Sequence, residues 1–63
     1  MSIEEFYDIY DPDRLQYALY IDDYGYMTTE RIIGAGVSTS GIVFVYINNF
    51  VTRLPIAEII EVI

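Results

Sequence analysis

The spacing of apolar side chains changes near Pro12. Before it, the apolar residues follow the helical spacing i, i+3, i+4, i+7, at Ile3, Phe6, Tyr7 and Tyr10. Ser2-x-x-Glu5 has the spacing of a capping box, which predicts a helix start. Because proline disfavours helical backbone in the preceding residue, the helix should end near Asp11. The pattern predicts one short helix near residues 3–10.

Beyond Pro12 the apolar spacing becomes two, which is typical of a β-strand. One face would carry Leu15, Tyr17, Leu19 and Ile21, and the other Gln16, Ala18, Tyr20 and Asp22. This predicts a strand, a hairpin turn at Asp22–Gly25 and a returning strand over Tyr26–Ile33. An alternative stays open: Asp11 as N-cap and Pro12 as first helical residue would make residues 14–22 helical.

Turn and strand signals alternate through the next segment. Glycine and serine dominate Gly34–Gly41, which predicts a flexible loop. Ile42–Ile47 predicts a strand with apolar residues on both faces, as in a strand that is covered on both sides. Asn48-Asn49 tolerates the positive φ of a tight hairpin, which predicts a returning strand over Phe50–Leu54.

The end of the chain combines a strand break, a turn and a short strand. Leu54-Pro55 should break the ladder, Ile56–Glu58 should form one tight turn, and Ile59–Ile63 should be a closing strand. This order of elements resembles the end of SH3-like small barrels. The resemblance covers residues 15–63 and implies an α+β, mostly β fold. A short N-terminal helix would precede a five-stranded antiparallel SH3-like small barrel or meander.

The resemblance carries no ligand with it. The chain lacks the tryptophan and the paired aromatic residues with which peptide-binding SH3 domains grip polyproline, and a fold does not fix a function. The length predicts a single small domain over residues 1–63. Within it we expect an acidic helical segment at residues 1–13 and a β-rich body at residues 14–63.

The charges are concentrated in the first half of the sequence. Residues 1–30 hold eight of the ten acids, one of the three arginines and six of the seven tyrosines; lysine is absent and the net charge is −7. Such a chain repels phosphates, so neither direct binding to nucleic acid nor binding to a membrane surface is expected.

A basic partner protein fits this half better. Carboxylates on regular elements approximate spaced phosphates, and tyrosine is favoured at binding hot spots. An alternative interpretation is that the acids only keep an apolar domain in solution. The predicted partner-binding residues are Glu4, Glu5, Tyr7, Asp8, Tyr10, Asp11, Asp13, Asp22, Asp23, Tyr24 and Tyr26.

Signatures of catalysis are weak. Histidine, cysteine and lysine are absent, which removes the usual general base and the common nucleophiles. Adjacent Asp22-Asp23 fits a polar turn better than a catalytic pair, and Gly34-x-Gly36 lacks the third glycine of a dinucleotide-binding loop. The aspartates of residues 8–13 do not have calcium-loop spacing. We therefore expect no enzyme activity, no cofactor and no metal.

Two apolar segments, Ile42–Ile47 and Ile59–Ile63, exceed what so small a core is expected to cover. Exposed, they would be prone to aggregation. Burial between copies predicts a homodimer or a larger oligomer. The predicted self-association residues are Ile42, Val43, Phe44, Val45, Ile59, Ile60 and Val62.

Two functions remain as expectations. The first is a small acidic inhibitor whose carboxylate and tyrosine surface docks on a basic, nucleic-acid-binding site of a partner protein. We expect a cytoplasmic protein. In size and charge the chain resembles phage-encoded anti-defence or host-takeover proteins, and this resemblance extends the expectation to the cytoplasm of a phage-infected host cell. The alternative is a homo-oligomeric assembly module with an SH3-like fold. The acidic N-terminus is unlike a signal peptide, and no apolar run approaches a membrane span.

Overall fold

A computed structural model of the chain describes residues 1–48 and 52–63. Helix α1 (Ile3–Ile9) is followed by β1 (Tyr17–Ile21), β2 (Met27–Arg31), β3 (Gly34–Val37), β4 (Val43–Ile47), β5 (Thr52–Pro55), the 3₁₀ turn η1 (Ile56–Glu58) and β6 (Ile59–Val62). The strands form two three-stranded antiparallel sheets, in the orders β2-β1-β6 and β3-β4-β5.

The prediction of a mostly β chain with one short N-terminal helix is confirmed. The strand count is not: the described residues form six strands rather than five, and the two sheets do not close into a barrel. The alternative of a second helix over residues 14–22 is wrong, because Tyr17–Ile21 pairs with both β2 and β6.

Helix α1 begins at the predicted capping box. The Ser2 hydroxyl oxygen accepts the backbone N–H of Glu5 at 3.1 Å and donates to the Glu5 carboxylate at 3.1 Å. Phe6 is the side chain of α1 that is fully buried, and the ring of Tyr10 stacks on it with centroids 4.9 Å apart. The helix therefore joins the core through a single aromatic anchor.

A buried glutamine holds the segment between α1 and β1. The Gln16 side chain accepts the backbone N–H of Asp11 at 2.9 Å and donates to the carbonyl oxygen of Ile9 at 2.8 Å. These bonds satisfy two backbone groups where the helix ends, which would otherwise lose hydrogen bonds to water. The helix end is thereby tied to the start of the first sheet.

The alternation in β1 is as predicted, but its less apolar face is the one that points inward. Ala18 is fully buried, and Tyr20 packs against the core cluster. Leu15, Tyr17 and Ile21 are exposed on the other face. The two-residue alternation of a strand predicts which side chains share a face. The tertiary packing determines which of the two faces is covered by the core.

The chain passes from the first sheet to the second between two adjacent residues. The backbone N–H of Ile32 donates to the carbonyl oxygen of Gln16 at 2.9 Å, which extends the β1–β2 pairing. The backbone N–H of Ile33 donates to the carbonyl oxygen of Tyr46 on β4 at 2.8 Å. Successive residues of an extended chain point to opposite sides, so one run of backbone serves both sheets.

The loop predicted over Gly34–Gly41 is wrong for its first half, because Gly34–Val37 forms β3 and pairs with β4. Gly36 lies opposite Phe44, and a Cβ on Gly36 would meet the Phe44 Cζ at 3.0 Å. The aromatic ring covers the bare glycine backbone, which compensates for the low strand preference of glycine. A turn remains at Ser38–Gly41, where the N–H of Gly41 donates to the Ser38 carbonyl at 2.9 Å.

Strand β4 is covered on both faces, as predicted. Val43, Val45 and Ile47 point into the core, and Phe44 is buried on the other face. Asn48 has the predicted positive φ, of 52°. Asn49, Phe50 and Val51, which belong to the predicted turn and returning strand, lie outside the described residues.

The tight turn and the closing strand are confirmed as η1 and β6. The pairing of β6 with β1 shifts by one residue, so that Ile59 and Val62, three positions apart, both pack toward the core. The buried apolar core consists of Phe6, Ala18, Ile32, Val43, Val45, Ile47, Leu54, Ile56 and Ile59.

Candidate protein-interaction surfaces

The hairpin between β1 and β2 is organised by one carboxylate. One Asp22 oxygen accepts the backbone N–H groups of Tyr24 and Tyr26, both at 2.9 Å, and the other accepts the Thr28 hydroxyl at 3.2 Å. The hydrogen bond from the Tyr26 N–H is the main reason why the pKa of Asp22 lies below its usual range. Asp22 is therefore a positioning residue for the loop.

The loop held by Asp22 presents the two most exposed tyrosines of the chain. The side chain of Tyr24 is 86% exposed and that of Tyr26 is 71% exposed. Gly25 between them has φ of 84°, a conformation that favours glycine. Two rings with hydroxyl ends thus stand beside the exposed carboxylate of Asp23, a combination suited to a protein contact.

A shallow groove of about 260 Å³ lies beside this loop. Its lining includes Asp22 and Asp23 of the hairpin, Arg53 of β5 and Glu58 of η1. Residues distant in the sequence therefore contribute to one acidic groove. Its wall includes Tyr20, whose pKa is raised by burial first and then by the negative charges of Glu30, Asp22 and Asp23.

The start of helix α1 lies against the turn that carries Glu58. The Met1 ammonium donates to the carbonyl oxygens of Ile56 and Ile59, both at 2.8 Å, which puts the start of α1 against η1. The acidic side chains of α1 are all exposed. We use the term acidic surface for the exposed carboxylates of α1, the hairpin and η1, namely Glu4, Glu5, Asp8, Asp23 and Glu58.

Four other predicted partner-binding residues lie between α1 and β1 or on α1. The Asp11 carboxylate accepts the backbone N–H of Asp13 at 2.9 Å, so it shapes a local turn. Tyr10 is half-buried against Phe6, whereas Tyr7 is 57% exposed. Asp11 and Tyr10 thus have structural tasks, while Tyr7 and Asp13 are accessible to a partner.

Sequence reasoning missed Arg53 and Glu58 as groove residues. The Arg53 guanidinium lies 5.0 Å from the centre of the Phe44 ring and 5.7 Å from that of Tyr46, within cation–π distance. These residues meet because Tyr46 pairs with Arg53 across β4 and β5. The hairpin signal at Asn48 was the available clue, but the register could not be predicted from it.

The predicted self-association residues are mostly inside the chain's own fold. Four are buried (Val43, Phe44, Val45 and Ile59), Val62 packs partly against the core, and two are exposed, Ile42 and Ile60. The core of a single chain thus covers most of the predicted self-association residues, which were expected to exceed what it could bury. Self-association remains a prediction, but these buried residues do not supply its surface.

The described residues contain no cluster of three or more side chains suited to holding a metal ion. Within residues 1–48 and 52–63, no helix has the length and apolarity needed to span a bilayer. The chain matches no protein-family model, no curated protein and no solved structure.

Proposed function

We propose that this chain is a small, non-enzymatic binding protein that docks its acidic surface and the hairpin tyrosines on a basic site of a partner protein. The observation that carries the proposal is the convergence of Asp22, Asp23 and Glu58 around one groove, beside Tyr24 and Tyr26. Solubility requires only net charge at the surface. It does not explain why acids from distant elements converge beside exposed aromatic rings.

The charge balance indicates what the partner offers. The chain carries −7 overall, and Arg53 is the one cation among the described residues that line the groove. A negative surface accelerates association with a positive one and disfavours other partners. Basic sites that are wide enough for a folded domain are typical of nucleic-acid-binding proteins, so we propose that the chain acts as a nucleic-acid mimic.

The tyrosines provide contact area that charge alone does not. Exposed charge pairs at an interface contribute little each, about 0–1 kcal/mol, whereas aromatic side chains dominate hot spots. Because Asp22 fixes the backbone of Tyr24 and Tyr26, the rings lose less conformational freedom on binding. We propose an inhibitor of the phage anti-defence or host-takeover type, acting in the cytoplasm of the infected cell.

For the architecture, we propose that the two sheets are the halves of an SH3-like arrangement. Strands β2 and β3 are separated by Ile32 and Ile33 alone, whose N–H groups bond to opposite neighbours. Counted as one bent strand, they reduce six strands to five. The 3₁₀ turn η1 immediately before β6 supports the same arrangement.

The proposal is tested by capture and competition. The immobilised protein is incubated with bacterial lysate, and captured proteins are challenged with duplex DNA, with polyglutamate or with rising salt. We expect a nucleic-acid-binding protein that is released by duplex DNA at concentrations where polyglutamate of equal charge does not release it. Captured proteins that are indifferent to DNA, or that are released equally by polyglutamate, would contradict a nucleic-acid mimic.

A further inference from the structure

The outer face of the sheet β2-β1-β6 carries a row of apolar side chains that is largely open to solvent. The alternation of β1 and the pairing of β2 and β6 place Tyr17, Leu19, Ile21, Met27 and Ile63 on this face, with Thr29 opposite Leu19. Ile21, Met27 and Ile63 are 53–65% exposed. Sheets in small domains bury such a face, and a contiguous apolar patch at the surface marks an interaction site.

This face is electrically neutral, although the chain as a whole is strongly negative. Arg31 on β2 pairs with Tyr17, and Glu61 on β6 pairs with Leu19, so one positive and one negative side chain flank the apolar row. Neither the described acids of α1 nor those of the hairpin lie on the strands of this face. A neutral face offers no electrostatic attraction to a basic partner. It also adds no local repulsion when a second copy of this chain approaches it.

We propose that this outer face is the contact surface of a homodimer in which two copies pack sheet on sheet. In a twofold dimer with its axis parallel to β1, β2 of each copy lies over β6 of the other. Stacked sheets are separated by about 10 Å, a distance that the side chains of both faces fill. The apolar rows then meet along the axis.

The same symmetry makes the charges complementary. Arg31 of one copy lies opposite Ile63 of the second copy, and Glu61 of that copy is two residues further along the same strand. The twofold axis produces the same Arg31–Glu61 arrangement a second time. With the sheets about 10 Å apart and a step of about 6.8 Å along the strand, the Cα atoms of Arg31 and Glu61 would lie about 12 Å apart, a distance that the two long side chains can span together. Two equivalent ion pairs would flank the apolar contact, as expected of a self-complementary interface.

The size of the face sets the expected affinity. Three strands of about five residues span roughly 14 Å by 17 Å, which is small against the about 800 Å² per partner of a standard interface. We therefore expect a weak dimer that forms only at high protein concentration. The acidic surface stays exposed in this dimer, so the inference goes beyond the proposed function and does not rest on it.

Charge exchange tests the dimer directly. Sedimentation equilibrium is measured for the full chain, for Arg31→Glu, for Glu61→Arg and for the double exchange. Each single variant turns two attractive contacts into repulsive ones and should weaken dimerisation about tenfold, and the double exchange should restore it. Arg14→Glu and Glu4→Arg change the net charge equally away from this face, and should leave the dimer within about twofold.

A second measurement needs no variant. In a dilution series followed by NMR, the methyl signals of Leu19, Ile21, Met27 and Ile63 should move with protein concentration, while those of the exposed Ile3 on α1 should not. Raising the salt concentration should leave dimerisation unchanged or tighten it, because it screens the repulsion between two negative chains. Binding to a basic partner should weaken instead, so the two proposals can fail separately.

Four results would contradict the proposed dimer. A chain that remains a 7.3 kDa monomer at about 1 mM contradicts it. So does a dimer that neither single exchange weakens, or one that the double exchange fails to restore. Concentration-dependent shifts confined to α1 or the β1–β2 hairpin would place self-association elsewhere and would equally refute the proposed face.

Discussion

Asp22 and Asp23 are adjacent in the sequence but have different surroundings in the hairpin. The Asp22 carboxylate accepts two backbone N–H groups and one hydroxyl within the hairpin, and its neighbour Asp23 makes the same charge available at the surface. Sequence reasoning placed both in one polar turn and treated them alike. The structure separates them, because only Asp22 is positioned to accept the N–H groups of Tyr24 and Tyr26.

This difference predicts unequal effects of Asp22→Ala and Asp23→Ala. Both remove one negative charge, but only the first removes the hydrogen bonds that shape the loop, so we expect a lower melting temperature for Asp22→Ala alone. The lowered pKa gives the pH dependence: the stabilisation is present above the usual aspartate pKa of about 4 and is lost as pH falls through the lowered pKa of Asp22.

Thermal denaturation across pH 2–7 (about half-unit steps) checks this prediction. The gap in melting temperature between the parent and Asp22→Ala should be constant near neutrality and should narrow as the pH falls into the acid range. A gap of the same size at every pH would show that the ionised Asp22 carboxylate is not its source. Equal melting temperatures of the two alanine variants at pH 7 would remove the positioning role altogether.

Gly36 makes a second prediction at the scale of single residues. A Cβ at this position would lie 3.0 Å from Cζ and 3.2 Å from Cε2 of the Phe44 ring. Gly36→Ala should therefore cost about 1–3 kcal/mol of unfolding free energy through overpacking. Phe44→Leu should cost about 1–2 kcal/mol through lost packing.

The double variant distinguishes this contact from a general preference for glycine. If the ring is the obstacle, Gly36→Ala should be much less costly in a Phe44→Leu background, giving a coupling energy of about 1 kcal/mol in a double-mutant cycle of urea denaturation. Additive losses would mean that Phe44 does not constrain Gly36.

At the scale of elements, the buried Gln16 amide links α1 to the first sheet. Replacing it with methionine keeps the approximate volume but removes both hydrogen bonds, leaving the Asp11 N–H and the Ile9 carbonyl without these partners. We expect a loss of about 1–3 kcal/mol. Hydrogen exchange should also speed up at the end of α1 more than in β4, which a general loss of stability would not produce.

The elements that were predicted correctly depend on local signals. The capping box at Ser2, the proline after α1 and the alternation in β1 each act within a few residues, and the structure follows them. Strand β3 was missed because its glycines disfavour a strand locally, and its stability comes from pairing with β4, where Phe44 covers Gly36. The buried face of β1 was likewise fixed by tertiary packing and not by the apolarity of the strand.

The candidate surfaces show the same division. Composition alone predicted an acidic, tyrosine-rich half, and Tyr24 and Tyr26 of that half are exposed. The meeting of Glu58 and Arg53 with the hairpin depends on sheet order and register, which short-range patterns do not determine. The neutral outer face of the sheet was hidden for the same reason.

At the scale of the whole molecule, the two surfaces divide the charge between them. The acidic surface combines carboxylates with tyrosines, whereas the outer face of β2-β1-β6 combines an apolar row with one balanced pair of charges. Opposite salt dependences follow, since screening weakens attraction to a basic partner and relieves repulsion between copies. A single chain of 63 residues would thus hold two separable binding modes.

The most direct measurement compares the affinities of Glu58→Lys and Glu61→Lys for the protein captured from lysate, at concentrations too low for dimerisation. Both variants change the net charge by two units, but Glu58 lines the groove with Asp22 and Asp23, whereas Glu61 lies opposite Leu19 on the outer face of the sheet. We predict that Glu58→Lys weakens binding about tenfold, mainly through slower association, and that Glu61→Lys changes it by less than about threefold. Equal losses would show that overall charge, and not the converging acidic groove, accounts for binding.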